Sequence, residues 1–223
     1  LRARAAAGAA CRRRVTTMIS GQKHYLRELS SLYQYRVTDP DGEIGTLSGV
    51  VFDPCSWRVA RLIVDTETGR DSHAFVSIEE IRSIDEKARN MDVDRATNRS
   101  RLSWHEVEVA VSEAGLAASQ DLIGQDIQGL DATAGRVADL LVNVDVWQLR
   151  YLVIVAGANT ALTDIEWCVS VGGRDASPRI DLPAAAIAKA PRYSDLGELC
   201  IGYEEALYRH YTQRAYVSTD TVA

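Results

Sequence analysis

Apolar and polar positions along this chain form one pattern that is written twice. From Asp41 to Asp65 the order is turn, apolar block, turn and Trp-led apolar run, DGEIGTLSGVVFDPCSWRVARLIVD. Ninety residues on it returns without a gap, from Asp131 to Val155, as DATAGRVADLLVNVDVWQLRYLVIV. Leu32/Leu122, Asp41/Asp131, Gly45/Gly135, Trp57/Trp147 and Leu62/Leu152 are identities. Apolar meets apolar at Val37/Ile127, Leu47/Val137, Val50/Leu140, Val51/Leu141, Phe52/Val142, Val59/Leu149, Ile63/Val153 and Val64/Ile154. A period as long as a small domain predicts duplication rather than a solenoid, whose repeats run about 20 to 50 residues.

Within each copy the apolar blocks are short, rich in β-branched residues and bounded by turn residues. Val50-Val51-Phe52 and Leu62-Ile63-Val64 therefore read as strands buried on both faces. Asp41-Gly42 predicts a two-residue type I′ hairpin turn, because Asp-Gly tolerates positive φ at both central positions. Asp131-Ala132 predicts a longer or different turn, with Gly135 as a candidate participant. Phe75-Val76-Ser77-Ile78 is a later strand, and Met91-Asp92-Val93-Asp94 a closing strand by analogy with Ile180-Asp181-Leu182. Short strands at roughly 8- to 12-residue spacing predict a small barrel or sandwich, and closure would hide its edges. Trp57 and Trp147 would cap or fill such a barrel, burying on the order of 200 Å² each, rather than stack on a ligand.

These stretches, with HAFVSIEEI after the first and WCVSV and RIDLPAAAIAKAPRY after the second, resemble the PRC-barrel family in its tandem two-barrel bacterial form. The resemblance covers residues 26 to 215. It implies a fold shared with the cytoplasmic part of the photosynthetic reaction-centre H subunit and with the C-terminal domain of the ribosome maturation factor RimM. The second copy departs from the first in lacking Gly after its turn Asp and in ending at Val155 where the first has Asp65. The Pro-Gly expected before the "VS" strand is replaced by Arg70-Asp71-Ser72 and by Leu162-Thr163-Asp164. The resulting fold class is mainly β: two tandem small PRC-type barrels related by duplication, with short C-terminal helices.

The 223 residues suffice for two small domains, drawn here as 26–114 and 115–216 with the boundary near Gly115. Tyr25-Leu26-Arg27-Glu28-Leu29 predicts one helical turn ahead of the first barrel. Residues 96–120, around Leu102-Ser103-Trp104, hold the connection and an extra strand or short helix. Pro183 opens a short helix, AAAIAKA, that Pro191 stops. Beyond it Leu196, Leu199, Tyr203, Leu207 and Tyr211 recur at helical spacing, although Gly197 and Gly202 would each weaken such a helix by about 1 kcal/mol. That stripe either packs on its own barrel or docks a second subunit or partner; residues 217–223 read as a frayed tail.

Formal net charge is −6, but residues 1–25 carry Arg2, Arg4, Arg12, Arg13, Arg14 and Lys23 and no acid, leaving the body near −12. Such a body repels phosphate backbones and anionic lipid, so no nucleic-acid partner is expected. The leader LRARAAAGAACRRRVTT admits three readings: a mis-called start with Met18 as initiator, a disordered basic arm, or an export or transit signal lacking its apolar region. Cys11, Cys55, Cys168 and Cys200 show neither a zinc spacing nor a dense disulfide framework, which points to a reduced, cytoplasmic setting. No run of 18 apolar residues exists, so no membrane span is expected.

Chemistry is sparse. Of His24, His73, His105 and His210, none lies in HExxH or pairs with another at i,i+4. Asp71-Ser72-His73 has the residue types of a nucleophilic triad, but sequence neighbours point apart where a triad must converge. Trp104-His105-Glu106-Val107-Glu108 reads as a solvated strand edge, and Glu204-Glu205 with His210 as an exposed charged helix face. Gly42-x-x-Gly45 lacks the Lys and helix start of a phosphate loop, and Val171-Gly172-Gly173-Arg174 reads as a plain loop. No catalytic, cofactor or metal residue is nominated.

Three function classes follow. The first is a non-enzymatic scaffold or adaptor acting through protein contacts, with homo-oligomerisation allowed. The second is an enzyme or small-ligand or metal-binding protein with a site between the barrels, gathering His73 or His105 with a carboxylate. The third is an ion- or pH-responsive role for Asp41, Glu43, Asp53 and Asp65. A reaction-centre subunit would carry a membrane helix and a ribosome factor a different N-terminal barrel, and neither pattern is visible.

Overall fold

The computed structural model of the chain describes residues 25–66, 71–94, 101–172 and 176–217. The basic leader with Cys11 and His24, the Arg70 end of the first Arg-Asp-Ser turn, Gly173-Arg174 and the tail past Val217 lie outside the described residues.

The first half holds β1 (Leu26–Glu28), one helical turn α1 (Leu29–Leu32), β2 (Arg36–Asp39), β3 (Gly42–Phe52), β4 (Val59–Asp65), β5 (His73–Ser77), β6 (Ile81–Asp85), β7 (Asn90–Val93), helix α2 (Trp104–Glu113) and β8 (Ala117–Ala118). The second holds β9 (Asp126–Gln128), β10 (Thr133–Asn143), β11 (Gln148–Ala156), β12 (Asn159–Asp164), β13 (Cys168–Ser170), β14 (Arg179–Ile180), α3 (Ala184–Ala188) and α4 (Ile201–Val217). The described residues are mainly β, in two sheets of seven strands each.

The two sheets share one plan. Their orders are β5-β4-β3-β2-β7-β6 and β12-β11-β10-β9-β14-β13, with one parallel pair in each, β2 with β7 and β9 with β14. The β3–β4 register runs Thr46↔Asp65, Leu47↔Val64, Gly49↔Ile63, Val50↔Leu62, Val51↔Arg61 and Phe52↔Val59. The β10–β11 register repeats all six pairs ninety residues on, from Arg136↔Val155 to Val142↔Leu149, with bulges at the same two places. Both hydrogen-bonded paths have two ends, so neither ladder is a closed ring as the strand spacing led us to expect. In the first half those ends, β5 and β6, follow one another through a 3₁₀ turn at Ile78–Glu80.

The expected line near Gly115 does not separate the sheets. β1 pairs with β10 of the second sheet, Arg27↔Val142 and Glu28↔Leu141, while β8 pairs with β3 of the first, Ala117↔Phe52 and Ala118↔Val51. The two exchanges match each other at the ninety-residue offset. The predicted helical turn at Tyr25–Leu29 is corrected accordingly: the backbone is extended to Glu28, where β10 supplies ladder partners, and turns helical only at Leu29.

Burial follows the pleat. Val50, Phe52, Leu62, Val64, Ala74 and Val76 enter the main core, which runs continuously through both halves. Their alternates Val51, Ile63 and Phe75 face the other way, under Val107 and Val111 of α2. Two covered faces explain why these strands read as unbroken apolar runs.

The turn chemistry is partly as expected. The first hairpin exists, but Asp39 pairs with Gly42, so Pro40 and Asp41 are the central residues instead of Asp41 and Gly42. Pro at the first central position, Asp39 accepting from Asp41 N–H at 2.9 Å and Gly42 at φ +122 after the turn fit a type I geometry. The second hairpin uses the longer loop expected, Gly129 to Ala132, closed by Gly129 N–H to the Ala132 carbonyl at 2.8 Å.

The apolar stripe after Pro191 is split: Leu196–Glu198 forms a 3₁₀ turn, capped by Asp195, before α4 begins at Ile201. Gly202 thus falls in the first helical turn and Gly197 outside the helix.

Candidate functional site

The two halves meet around Trp57 and Trp147. Both are buried, and both hold left-handed backbone, φ 58 and 47. For so bulky a residue this conformation costs about 1–3 kcal/mol, so surrounding contacts must impose it. Here they are reciprocal: Val59 N–H donates to the Trp147 carbonyl at 2.8 Å and Leu149 N–H to the Trp57 carbonyl at 2.9 Å. Arg58 and Gln148 form the antiparallel bridge between them. Trp57 also stacks on Phe52 with ring centroids 5.4 Å apart. The Trp pair is thus built into the joint.

The turn before each Trp is set by one side chain. Asp53 accepts from Cys55 N–H at 2.9 Å and from Ser56 Oγ at 2.7 Å, and Asn143 repeats the first bond with Asp145 N–H at 3.0 Å. The Cys55 and Ser56 hydrogen bonds hold the Asp53 carboxyl below the usual carboxylate range.

Beside this joint lies a groove of about 640 Å³. One wall is Ile78, Ile81, Arg82, Ser83, Ile84 and Glu86, around end strand β6; the other is the β10–β11 turn, Val144 to Trp147; Tyr25, Arg27 and Leu32 complete it. Val146 is 52% exposed and Tyr25 39%. Arg27 Nε, on a strand of the second sheet, donates to Glu86 Oε1 beside the first sheet at 2.9 Å, and Arg82 pairs with Asp94. Three separate stretches of chain, 25–32, 78–86 and 144–147, build this surface, and no motif marks it in the sequence.

The expected inter-barrel site with His73 or His105 does not form in this groove, since neither residue lines it. His73 is held elsewhere, on β5, between two carboxylates: Nδ1 is 2.7 Å from Asp65 Oδ1 and Nε2 is 3.2 Å from Asp71 Oδ1. Asp65 is its cross-strand neighbour and also accepts from Ser48 Oγ at 2.6 Å. Asp71 also accepts from Trp104 N–H at 2.8 Å, and the Trp104 ring meets the imidazole edge-on. Ser72 Oγ instead takes a hydrogen bond from Thr66 Oγ1 at 2.7 Å. With both ring nitrogens engaged by carboxylates and Ser72 turned elsewhere, the three residues make no nucleophilic triad. They tie β4, β5 and the start of α2 together.

Residues 104–108 are helical, which corrects the strand-edge reading. Ser103 is the N-cap, accepting from Glu106 N–H, while Glu106 Oε2 accepts from Ser103 N–H at 2.8 Å. This capping box was legible as Ser103-Trp104-His105-Glu106. The Ser103 bonds hold the Glu106 carboxyl below its usual range. His105 is solvated, with Glu108 3.9 Å away. Leu102 exchanges both backbone bonds with His73 at 2.8 Å as an isolated bridge, and the extra strand of residues 96–120 is β8.

The Glu204-Glu205-His210 surface is only partly a solvated face. Glu205 is exposed, but Glu204 accepts from Tyr151 OH at 3.0 Å and His210 Nε2 donates to the Ala186 carbonyl at 2.7 Å.

Among the described residues no group of three or more His, Cys, Asp or Glu side chains could hold a metal ion. No disulfide joins Cys55, Cys168 and Cys200, and burial pushes the Cys168 thiol up to about 12. No helix among the described residues is long and apolar enough to cross a membrane. Compared with models of known families and with curated proteins, the chain matches none.

Proposed function

We propose that the chain is a non-enzymatic binding module that works through protein contacts in the cytoplasm, built as two tandem small PRC-type β-barrels that arose by internal duplication. The shared strand order and the six-pair register repeated at one offset support duplication. The succession of β5 and β6, the two ends of the first ladder, supports a curled, barrel-like unit. Units drawn at 26–114 and 115–216 each lend one strand to the other.

One observation carries the functional reading: a groove at the joint walled by an end strand and by exposed Val146 and Tyr25. An extended segment of a partner would lie along β6 with its apolar side chains over Ile81 and Ile84. The test is co-purification at two salt concentrations with the wild type and with Val146→Arg, a surface change that spares the core. A discrete partner retained by the wild type and lost by Val146→Arg is expected. Identical retention by both, or none by either, overturns the reading.

A small-ligand site is the second reading, favoured by the groove's volume, which lies within the roughly 300–1,000 Å³ of ligand pockets. A compound that raises the melting temperature of the wild type and not of Val146→Arg would select it.

A further inference from the structure

The groove beside the joint is apolar at its floor and unevenly charged at its rim. Along β6 the register with β7 shifts between Ile81 and Ser83, so that one extra residue sits on β6. Ile81 then lies opposite Val93 and Ile84 opposite Met91, and those two β7 residues, two positions apart, share a face. Ile81 and Ile84, three apart in sequence, are thereby turned to the same side, where both pack half-buried against the main core. Val144 and Val146 stand on the facing wall. The space between suits aliphatic side chains.

Four charged side chains line the groove: Arg27, Arg82, Glu86 and Asp145. Both guanidiniums are matched, Arg27 by Glu86 and Arg82 by Asp94. Asp145, exposed in the β10–β11 turn, pairs with no cation among the described residues. The Val144 N–H beside it donates to the Tyr25 carbonyl at 2.9 Å, which brings Tyr25, 39% exposed, to the same end of the groove. A carboxylate and an exposed aromatic ring both attract cations. Asp85, exposed at the far end of β6, adds a second anion along the wall, and the body of the chain carries a formal charge near −12. The field around the groove therefore draws basic segments and turns away acidic ones.

We propose that the occupant of the groove is an extended segment of another protein in which aliphatic and basic residues alternate. Its aliphatic side chains lie between Ile81, Ile84 and Val146, and a basic one meets Asp145 and Tyr25. This names the partner's chemistry and rests on the groove reading. Strand addition at an end strand draws affinity from main-chain hydrogen bonds and selectivity from alternate side chains. A segment with acids at the basic positions would meet Asp85 and Asp145 instead, and like charges there select against it.

Fluorescence anisotropy of the full chain with labelled peptides tests this. The peptides alternate valine with lysine, valine with glutamate, or glycine with lysine, and run to about ten residues so as to pass both ends of β6. The valine-lysine peptide is expected to bind saturably and more weakly as salt rises, with each of the other two about tenfold weaker. Val146→Arg should weaken its binding about tenfold and Asp145→Asn severalfold. Valine-lysine binding that neither variant changes would be attraction to the acidic body at large and overturns the proposal. Valine-glutamate binding that Val146→Arg abolishes overturns the basic chemistry while the groove reading stands. So does the absence of any peptide binding when co-purification still retains a partner through Val146. Tighter valine-lysine binding after Arg12→Gln, Arg13→Gln and Arg14→Gln together would give the groove to the chain's own leader, and a dimer dissolved by Val146→Arg would give it to a second copy. Either overturns the assignment to a separate partner.

Discussion

Gln120 lies so close over Gly49 that a Cβ on the glycine would collide with its carboxamide. Ninety residues along the repeat the sizes are reversed: Asp139 stands for the glycine and Ser30 for the glutamine, Ser30 Oγ donating to Asp139 Oδ2 at 2.5 Å. Each pair spans the joint between the halves and fills the same space from opposite sides. Gly49→Asp alone is expected to destabilise the protein by about 2 kcal/mol through overpacking. Adding Gln120→Ser should recover at least half of that, as a double-mutant cycle in urea would read. Additive losses would mean that the two sites are independent.

Gly45 and Gly135 hold φ +156 and +142, and a Cβ on either would overlap the backbone carbonyl of Asp65 or Val155. Gly→Ala at either place is expected to cost about 3 kcal/mol, combining an unfavourable backbone with a clash that cannot relax sideways. Gly42 has open space around it, so Gly42→Ala should cost about 1 kcal/mol, from its φ alone. Thermal denaturation of the three variants would show the order.

Asp139 is buried, and burial chiefly raises its pKa, against the hydrogen bonds from Ser30 and the Leu140 N–H. A raised folded-state pKa means stability present below the unfolded value, about 3.9, and lost as pH climbs through the folded one. Asp139→Asn keeps the shape without the charge. Its melting temperature relative to wild type should be near equal at pH 4 and increasingly higher toward pH 7; a gap that shrinks with pH would contradict the assignment.

A chain begun at Leu29 would lack β1 and so leave Leu141, Val142 and Asn143 of β10 without their ladder partner. Although the deletion is at the amino end, amide protection is expected to fall more in the second sheet than in the first. Exchange measured peptide by peptide decides this, and a loss confined to β2 and β3 would refute the crossed pairing.

Much of the fold was legible because the pattern is written twice: the bulged register of β3 with β4 predicts that of β10 with β11, and both Trp positions fall where the halves meet. The turn at Pro40-Asp41 was missed by one residue, since Gly42 looks the same as a turn centre or as the glycine just after it. α2 was misread although Ser103 and Glu106 announce its start, because Val107 and Val111 are too few to set a period. β1 was read as a helical turn and β8 only as an unplaced extra strand in residues 96–120, being three and two residues long with partners in the other half. The groove escaped for the same reason, and the anchoring of His73 depends on Asp65, eight positions away and adjacent only across the ladder.

The crossed strands also bear on synthesis. Arg27 and its ladder partner Val142 are 115 residues apart, so β1 leaves the ribosome long before the strand that will hold it. Ala118 waits less, because its partner Val51 is already made and 67 residues behind. Contacts of such separation form slowly, since loop closure precedes any gain from pairing. Until β10 arrives, Leu26–Glu28 stands as an unpaired strand that any passing β-edge can claim. The growing chain is thus most prone to wrong association while its first half already looks complete.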